Sequence, residues 1–345
     1  MSNRVKNSIY SIIVVAAVGV VWWWRNHRPL KLEPVRIEGA TMGTSYHVTY
    51  FDQEGRDFKT SVDSLLALVN QSINTYDIDS EISRFNHAEI GLRLSLPYLI
   101  PPLQKSQEIS SATLGAFDPT VMPLVNLWGF GYQKVTRPDS SKLDSIREFI
   151  GFEKIQFKHD SIWKTDPRVQ LDFGGIGQGY GADVITDFLR TKGITDMLVE
   201  IGGEGMAVGK NLSSGKPWEL GILDPNSTRD SLFFKAYVSL ENRSFTTSGN
   251  YFNYRVVDGK KYSHTINPTT GYPVQHTLLS ASVFATDATT ADGWATALMV
   301  MGTEQAIAKA QATPSIDVFL IYMDESGIVK TFATEKISPF LKINP

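Results

Sequence analysis

The chain has 345 residues, 42% hydrophobic and 20% charged, with a formal net charge of −3. These proportions exclude a disordered or fibrous chain, and without a basic excess there is no electrostatic support for binding nucleic acid. Cysteine is absent, which removes disulfides, thiolate metal sites and cysteine nucleophiles together.

The chain opens on an uncharged run, Ser8 to Trp24, preceded by Arg4 and Lys6 and closed by three tryptophans suited to a membrane interface. Its length is at the short end for a helix that spans hydrocarbon. No small-x-small cleavage site follows, so an uncleaved anchor is expected, with its orientation undecided because Arg25, Arg28 and Lys31 flank the far side. The expected organisation is a short basic segment over 1–7, a transmembrane anchor or signal-anchor over 8–24, a polar tether over 25–34, and one folded domain over 35–345.

From Val35, polar and apolar residues alternate around a Gly-containing break, which predicts a hairpin. Val62, Leu65, Leu66, Val69 and Ile73 fall at helical spacing over 61–76. Pro101 and Pro102 suit the first turn of a helix that stops at Gly115. A helix is predicted over 178–192 with Gly193 at its end. A short apolar strand follows over 197–201, then two or three strands between Trp218 and Val257. Residues 289–301 read as a helix ended by Gly302, with Thr303 capping another, and 316–323 read as a buried strand. Strands and helices mix without a regular βαβ rhythm, so the expected fold class is α+β in a single body.

Four segments could carry chemistry. Asp292 and Thr296 stand four residues apart on a predicted helix and share a face. A carboxylate and a hydroxyl are hard oxygen ligands that suit Mg²⁺, which takes further oxygens from substrate phosphates. Asp287 lies near the start of that helix, where capping is the competing role. The stretch from Leu171 to Asp183 crowds four glycines between Gly174 and Gly181 at a helix start, a place that attracts phosphate. It meets neither the Rossmann spacing nor the P-loop pattern, and a plain turn is the alternative. His264 precedes a tight turn at Asn267-Pro268 and Thr270-Gly271, and has the one side chain there with a near-neutral intrinsic pKa. The stretch from Gly115 to Thr120 joins an aromatic residue to an acid and a proline.

Taken in order, ATMGTSY, DSEISRFN, GAFDPTVMPL, LDFGGIGQGYGAD, VEIGGEG, TTSGNY, SHTINPTTG and ADGWATAL resemble the ApbE family of FAD:protein FMN transferases from about Gly39 to Gly302. The resemblance implies a non-Rossmann α+β catalytic domain after the anchor helix. It implies Mg²⁺ held by Asp292, Thr296 and the backbone carbonyl of Gly175. It implies an FAD site lined by Met42, Tyr76, Ala116, Phe117, Asp118, Asp172, Gln178 and Ile266. At Gln178 relatives often carry lysine or glutamate, and at Glu200 many carry asparagine. His264 matches the histidine of the H-x-I-[DN]-P-x-T-G pattern, and His264 or Asp287 would serve as base.

The implied reaction is Mg²⁺-dependent transfer of FMN from FAD onto a Thr or Ser hydroxyl of an acceptor protein, releasing AMP. A FAD pyrophosphatase and a non-catalytic flavin-binding protein are the alternatives. The implied partner is an acceptor domain of a membrane redox complex. The implied location is the bacterial cytoplasmic membrane, with the catalytic body on the periplasmic side.

Overall fold

Residues 13–20, 22, 32–131, 139–228, 230–250, 254–257 and 260–344 are described by a computed structural model of the chain. Two units separate, Met1–Glu33 and Pro34–Pro345. In the first, residues 13–20 and 22 are helical, with Val15 and Trp22 exposed. Among the described residues no helix is long and apolar enough to cross a membrane. The remainder of the anchor expected over 8–24, and most of the tether, lie outside the described residues.

The second unit starts on the expected hairpin. Strands β1 (Pro34–Thr41) and β2 (Thr44–Phe51) pair antiparallel down to Thr41 opposite Thr44. Met42 and Gly43 form the two-residue loop with φ of 49° and 73°, the positive values that match the twist of a tight hairpin. Tyr46, Val48 and Tyr50 alternate inward along β2.

Helices α1 (Lys59–Ile73), α2 (Glu81–His87), α3 (Ile100–Ala112), α4 (Met122–Leu127) and α5 (Leu143–Arg147) follow. Among them runs a small antiparallel sheet of β3 (Gly91–Arg93), β4 (Ile155–Lys158) and β5 (Ser161–Lys164). Pro101 and Pro102 sit in the first turn of α3, where a missing N–H breaks no helical bond. Its end comes a little earlier than expected: Thr113 is the C-cap, and Leu114 and Gly115 both adopt positive φ.

Helix α6 (Gly177–Thr191) stops at Lys192, and Gly193 takes φ 82° just beyond it. Strands β6 (Met197–Ile201) and β7 (Glu204–Val208) turn through Gly202 and Gly203. Four strands, rather than two or three, occupy the next stretch: β8 (Trp218–Leu223), β9 (Phe234–Leu240), β10 (Arg243–Gly249) and β11 (Tyr254–Val257). Strand β12 (Lys260–Ser263) pairs with β11, and β13 (Leu278–Phe284) leads into α7 (Ala288–Met301). Gly302, not Thr303, occupies the N-cap of α8 (Thr303–Gln311), because its φ of 78° both ends α7 and starts the next helix. Strands β14 (Asp317–Met323), β15 (Val329–Ala333) and β16 (Leu341–Ile343) complete the chain.

The main sheet has eight strands in the order β1-β2-β6-β7-β10-β13-β14-β15, and its pairings are antiparallel. Helices α6 and α7 pack on each other and on its central strands. Two large apolar cores and a smaller one around Trp128 form among the described residues. Of the large ones, one lies among α2, α3, α7 and β13–β14, and the other fills the space between α6, α1 and β1–β2–β6. Met42, at the tip of the first hairpin, packs against both.

Candidate active site

The site grows from the contact between α6 and α7. Glycine at 179 makes that contact possible, since a Cβ there would stand 2.3 Å from the carbonyl oxygen of Ala288 and 2.8 Å from Cβ of Asp292. The Gly179 N–H then donates to Asp292 Oδ2 over 3.0 Å. One turn further along α7, Thr296 Oγ1 donates to the carbonyl oxygen of Gly175 over 3.4 Å. Gly175 also has no room for a side chain, as a Cβ would fall 2.7 Å from Thr296 Oγ1. Asp292, Thr296 and Gly175, expected together from the sequence, are thus brought together.

Two hard oxygens one turn apart on α7 and a backbone carbonyl just ahead of α6 suit a cation such as Mg²⁺. Burial holds the Asp292 carboxyl above the usual carboxylate range. Glu204 is raised well above it, first by burial and then by the charge of Asp292. Glu204 Oε2 is buried and has no hydrogen-bond partner. Two buried acids facing each other are what a bound cation would neutralise, so the residues fit the group.

Asp172 lies just before this corner. Its N–H donates to Pro119 O over 2.7 Å, and its Oδ1 accepts from Gly174 N over 2.9 Å. Burial pushes its carboxyl above the ordinary value. The Tyr76 hydroxyl donates to Phe130 O over 3.2 Å. The ring of Tyr76 is 69% exposed, so it offers a face to a planar ligand.

The Ala116–Asp118 loop joins this corner through the Asp172–Pro119 bond and a parallel bridge between Val121 and Gln170. Phe117 is core. Asp118 spends both oxygens inside the protein: Oδ1 accepts from Thr120 N and Oγ1, and Oδ2 from Phe152 N. Its carboxylate shapes the loop. Gln178 lies over the Gly202–Gly203 turn, with Nε2 and Oε1 each 3.1 Å from where a Cβ of residue 202 would stand.

His264 stands after β12, between two residues that share one anchor. Ser263 Oγ and Thr265 Oγ1 both donate to Asn250 Oδ1, at 2.5 and 2.9 Å. Ile266 is buried with Leu124, Trp128 and Leu143, and Trp128 Nε1 donates to Gly271 O over 2.8 Å, which pins the turn that follows. Asp287 takes the capping role: it is the N-cap of α7, and its Oδ1 accepts from Thr290 N over 2.7 Å.

Three polar residues, Asn86 buried and Asp183 and Glu204 half-buried, were not singled out from the sequence. Asp183 on α6 accepts from Ala288 N, Thr289 N and Thr289 Oγ1, a second cap for α7, and burial pushes its carboxyl up to about 6. Asn86, within DSEISRFN, clamps Leu171: its Nδ2 donates to Leu171 O over 2.8 Å and its Oδ1 accepts from Leu171 N over 2.7 Å. Glu204 is the third. A period-two reading of EGMAV could have found it, because an acid shares the strand face of Met206 and Val208.

An eight-stranded antiparallel sheet carries a glycine-rich helix start laid against an acid-and-hydroxyl helix, and the fold as a whole is shared with solved flavin transferases. The chain is similar to the flavin transferase ApbE from Vibrio cholerae, with TM-score 0.80 and 36% identity over 90% of this chain and 99% of that one. It is similar also to the apo form of the Pseudomonas stutzeri flavinyl transferase ApbE, with TM-score 0.78 and 31% identity over 90% and 97%. In sequence it is 37% identical to a FAD:protein FMN transferase of Vibrio cholerae over 90% of this chain and 93% of that protein. It is 35% identical to one of Haemophilus influenzae over 90% and 91%. The model of the ApbE family matches residues 42–320, and the chain belongs to that family.

Proposed function

We propose that this protein transfers FMN from FAD to a Thr or Ser hydroxyl of an acceptor protein, with Mg²⁺ as the assisting cation. The observation that carries the reading is the meeting of Asp292, Thr296 and the Gly175 carbonyl at the start of α6. Mg²⁺ held by these oxygens would neutralise charge on the FAD pyrophosphate as it is cleaved.

The chain's own residues do the rest. Tyr76, Met42 and the 116–118 loop hold the flavin nucleotide, and the α6 N-terminus orients its phosphates. The acceptor oxygen attacks the FMN phosphorus, the bond to the bridging oxygen breaks, and AMP leaves with that electron pair. The hydroxyl proton passes to a base. His264 is the better candidate, because Asp287 is engaged in capping.

The test is in-gel flavin fluorescence after denaturation, with FAD, Mg²⁺ and an acceptor domain from a membrane redox complex. The expected result is a fluorescent acceptor band that EDTA abolishes and that Asp292→Ala lacks. Free FMN and AMP without a band would indicate a FAD pyrophosphatase. FAD binding without turnover would indicate a flavin-binding protein.

We further propose that the body acts outside the cytoplasmic membrane, held there by the segment 8–24. The support is the uncharged run and its tryptophan cluster. A reporter fused after the last residue tests this; activity confined to the cytoplasm would reverse the orientation.

A further inference from the structure

We infer that Glu204 is a direct ligand of the divalent cation, so that the centre contains two protein carboxylates rather than one. This rests on the proposal that a cation sits against Gly175, Asp292 and Thr296.

Glu204 opens β7, directly after the Gly202–Gly203 turn. Its register opposite Ile201 of β6 is set by the antiparallel ladder that continues to Met197 opposite Val208. Side chains two apart on a strand share a face, and Met206 and Val208 point into the core beneath α6. Glu204 therefore points the same way, toward the α6–α7 contact that holds Asp292.

Both groups are acceptors when ionised. Asp292 Oδ2 takes the Gly179 N–H, but Glu204 Oε2 is buried with no partner. The charges of Asp292 and Glu200, both negative, act on Glu204, and the Gly179 N–H counters them in part. A buried acceptor left bare is unfavourable, so a donor or a cation belongs beside it. A shared proton would satisfy one oxygen of each. It would leave the Thr296 hydroxyl donating to the Gly175 carbonyl and draw neither toward the acids. A small divalent cation uses all four oxygen donors, within the coordination number Mg²⁺ prefers, and leaves positions for water and phosphate. A second carboxylate also gives the site enough negative charge to hold a cation before FAD arrives.

The experiment titrates Mn²⁺ into the full-length protein without FAD, read by electron paramagnetic resonance, with Mg²⁺-dependent thermal stabilisation alongside. Glu204→Gln keeps the side-chain shape and removes the charge. The expected result is that it weakens Mn²⁺ binding by tenfold or more, on the order seen when groups around a metal are altered, and shrinks the Mg²⁺ shift in Tm. Unchanged Mn²⁺ affinity in folded Glu204→Gln, with binding lost in Asp292→Asn, overturns the assignment. Should Glu204→Gln not fold, Glu204→Asp carries the test: it keeps the charge but withdraws it by one methylene, and undiminished affinity there also overturns the assignment. No Mn²⁺ binding by the unaltered protein would reject the cation site itself. Intact binding that depends on Glu204, with no FMN transfer, would reject only the transferase chemistry and leave this inference standing.

Discussion

The backbone N–H of Gly179 meets Asp292 Oδ2 at 3.0 Å, where a Cβ on residue 179 would lie 2.3 Å from the carbonyl oxygen of Ala288. That relationship makes the packing of α6 on α7 and the placement of the acid a single event. Gly179→Ala is expected to force the two helices apart at a cost of about 1–3 kcal/mol. Asp292 would lose its alignment with Thr296 and Gly175. Chemical denaturation and FMN transfer, measured on the same samples, check this. Wild-type stability together with wild-type transfer would show that the contact is not tight.

Asp183 gives a pH dependence of stability. Burial pushes its carboxyl up to about 6 in the folded protein, above the ordinary carboxylate value of about 3.9. A raised acid pKa means that the folded state binds the proton more tightly. Its contribution is therefore full below pH about 4 and lost as pH rises through about 6, by roughly 3 kcal/mol at most. Urea unfolding of wild type and Asp183→Asn at both ends of that window measures it. The wild type should lose stability relative to the variant as pH rises; a difference that does not move with pH contradicts the prediction.

Asn86 holds the extended segment that delivers Asp172. Asn86→Ala strands both the N–H and the C=O of Leu171 in the interior, each costing about 1–3 kcal/mol. FAD affinity should weaken along with stability, because Asp172 is the next residue. Thermal unfolding and flavin fluorescence titration separate the two effects. A destabilised variant with wild-type FAD affinity would confine Asn86 to folding.

His264 and Asp287 should part company. His264→Ala is expected to lower kcat by about 10²–10⁴-fold, the range for losing a general base, with FAD affinity retained. Asp287→Ala removes an N-cap and should cost about 1 kcal/mol of stability. Its kcat should stay close to wild type. Steady-state kinetics with a saturating acceptor domain decide between them, and a larger loss of kcat in Asp287→Ala would exchange the roles.

The elements that local rules govern were legible in the sequence. The β1–β2 hairpin, α6 with Gly193 at its end, and α7 with its acid and hydroxyl on one face follow from period and punctuation, which act over a few residues. Where two local signals competed, the backbone decided. Thr303 lost the capping position to Gly302 because one positive-φ residue serves both helices. Asp118, expected to line the ligand site, also has its carboxylate oxygens bonded to Thr120 and Phe152, a pairing no local pattern shows.

By itself the sequence determined the order of the motifs, the family they resemble and the pairing of Asp292 with Thr296, since helical spacing alone sets that face. Only the tertiary structure decided which distant groups meet them: the Gly179 N–H, the Gly175 carbonyl, the Asn86 clamp on Leu171 and the acid of Glu204. Those meetings depend on how closely α6 can approach α7 and on the register of β7 in the sheet. Both are outcomes of packing among segments far apart in the chain, which no local pattern encodes.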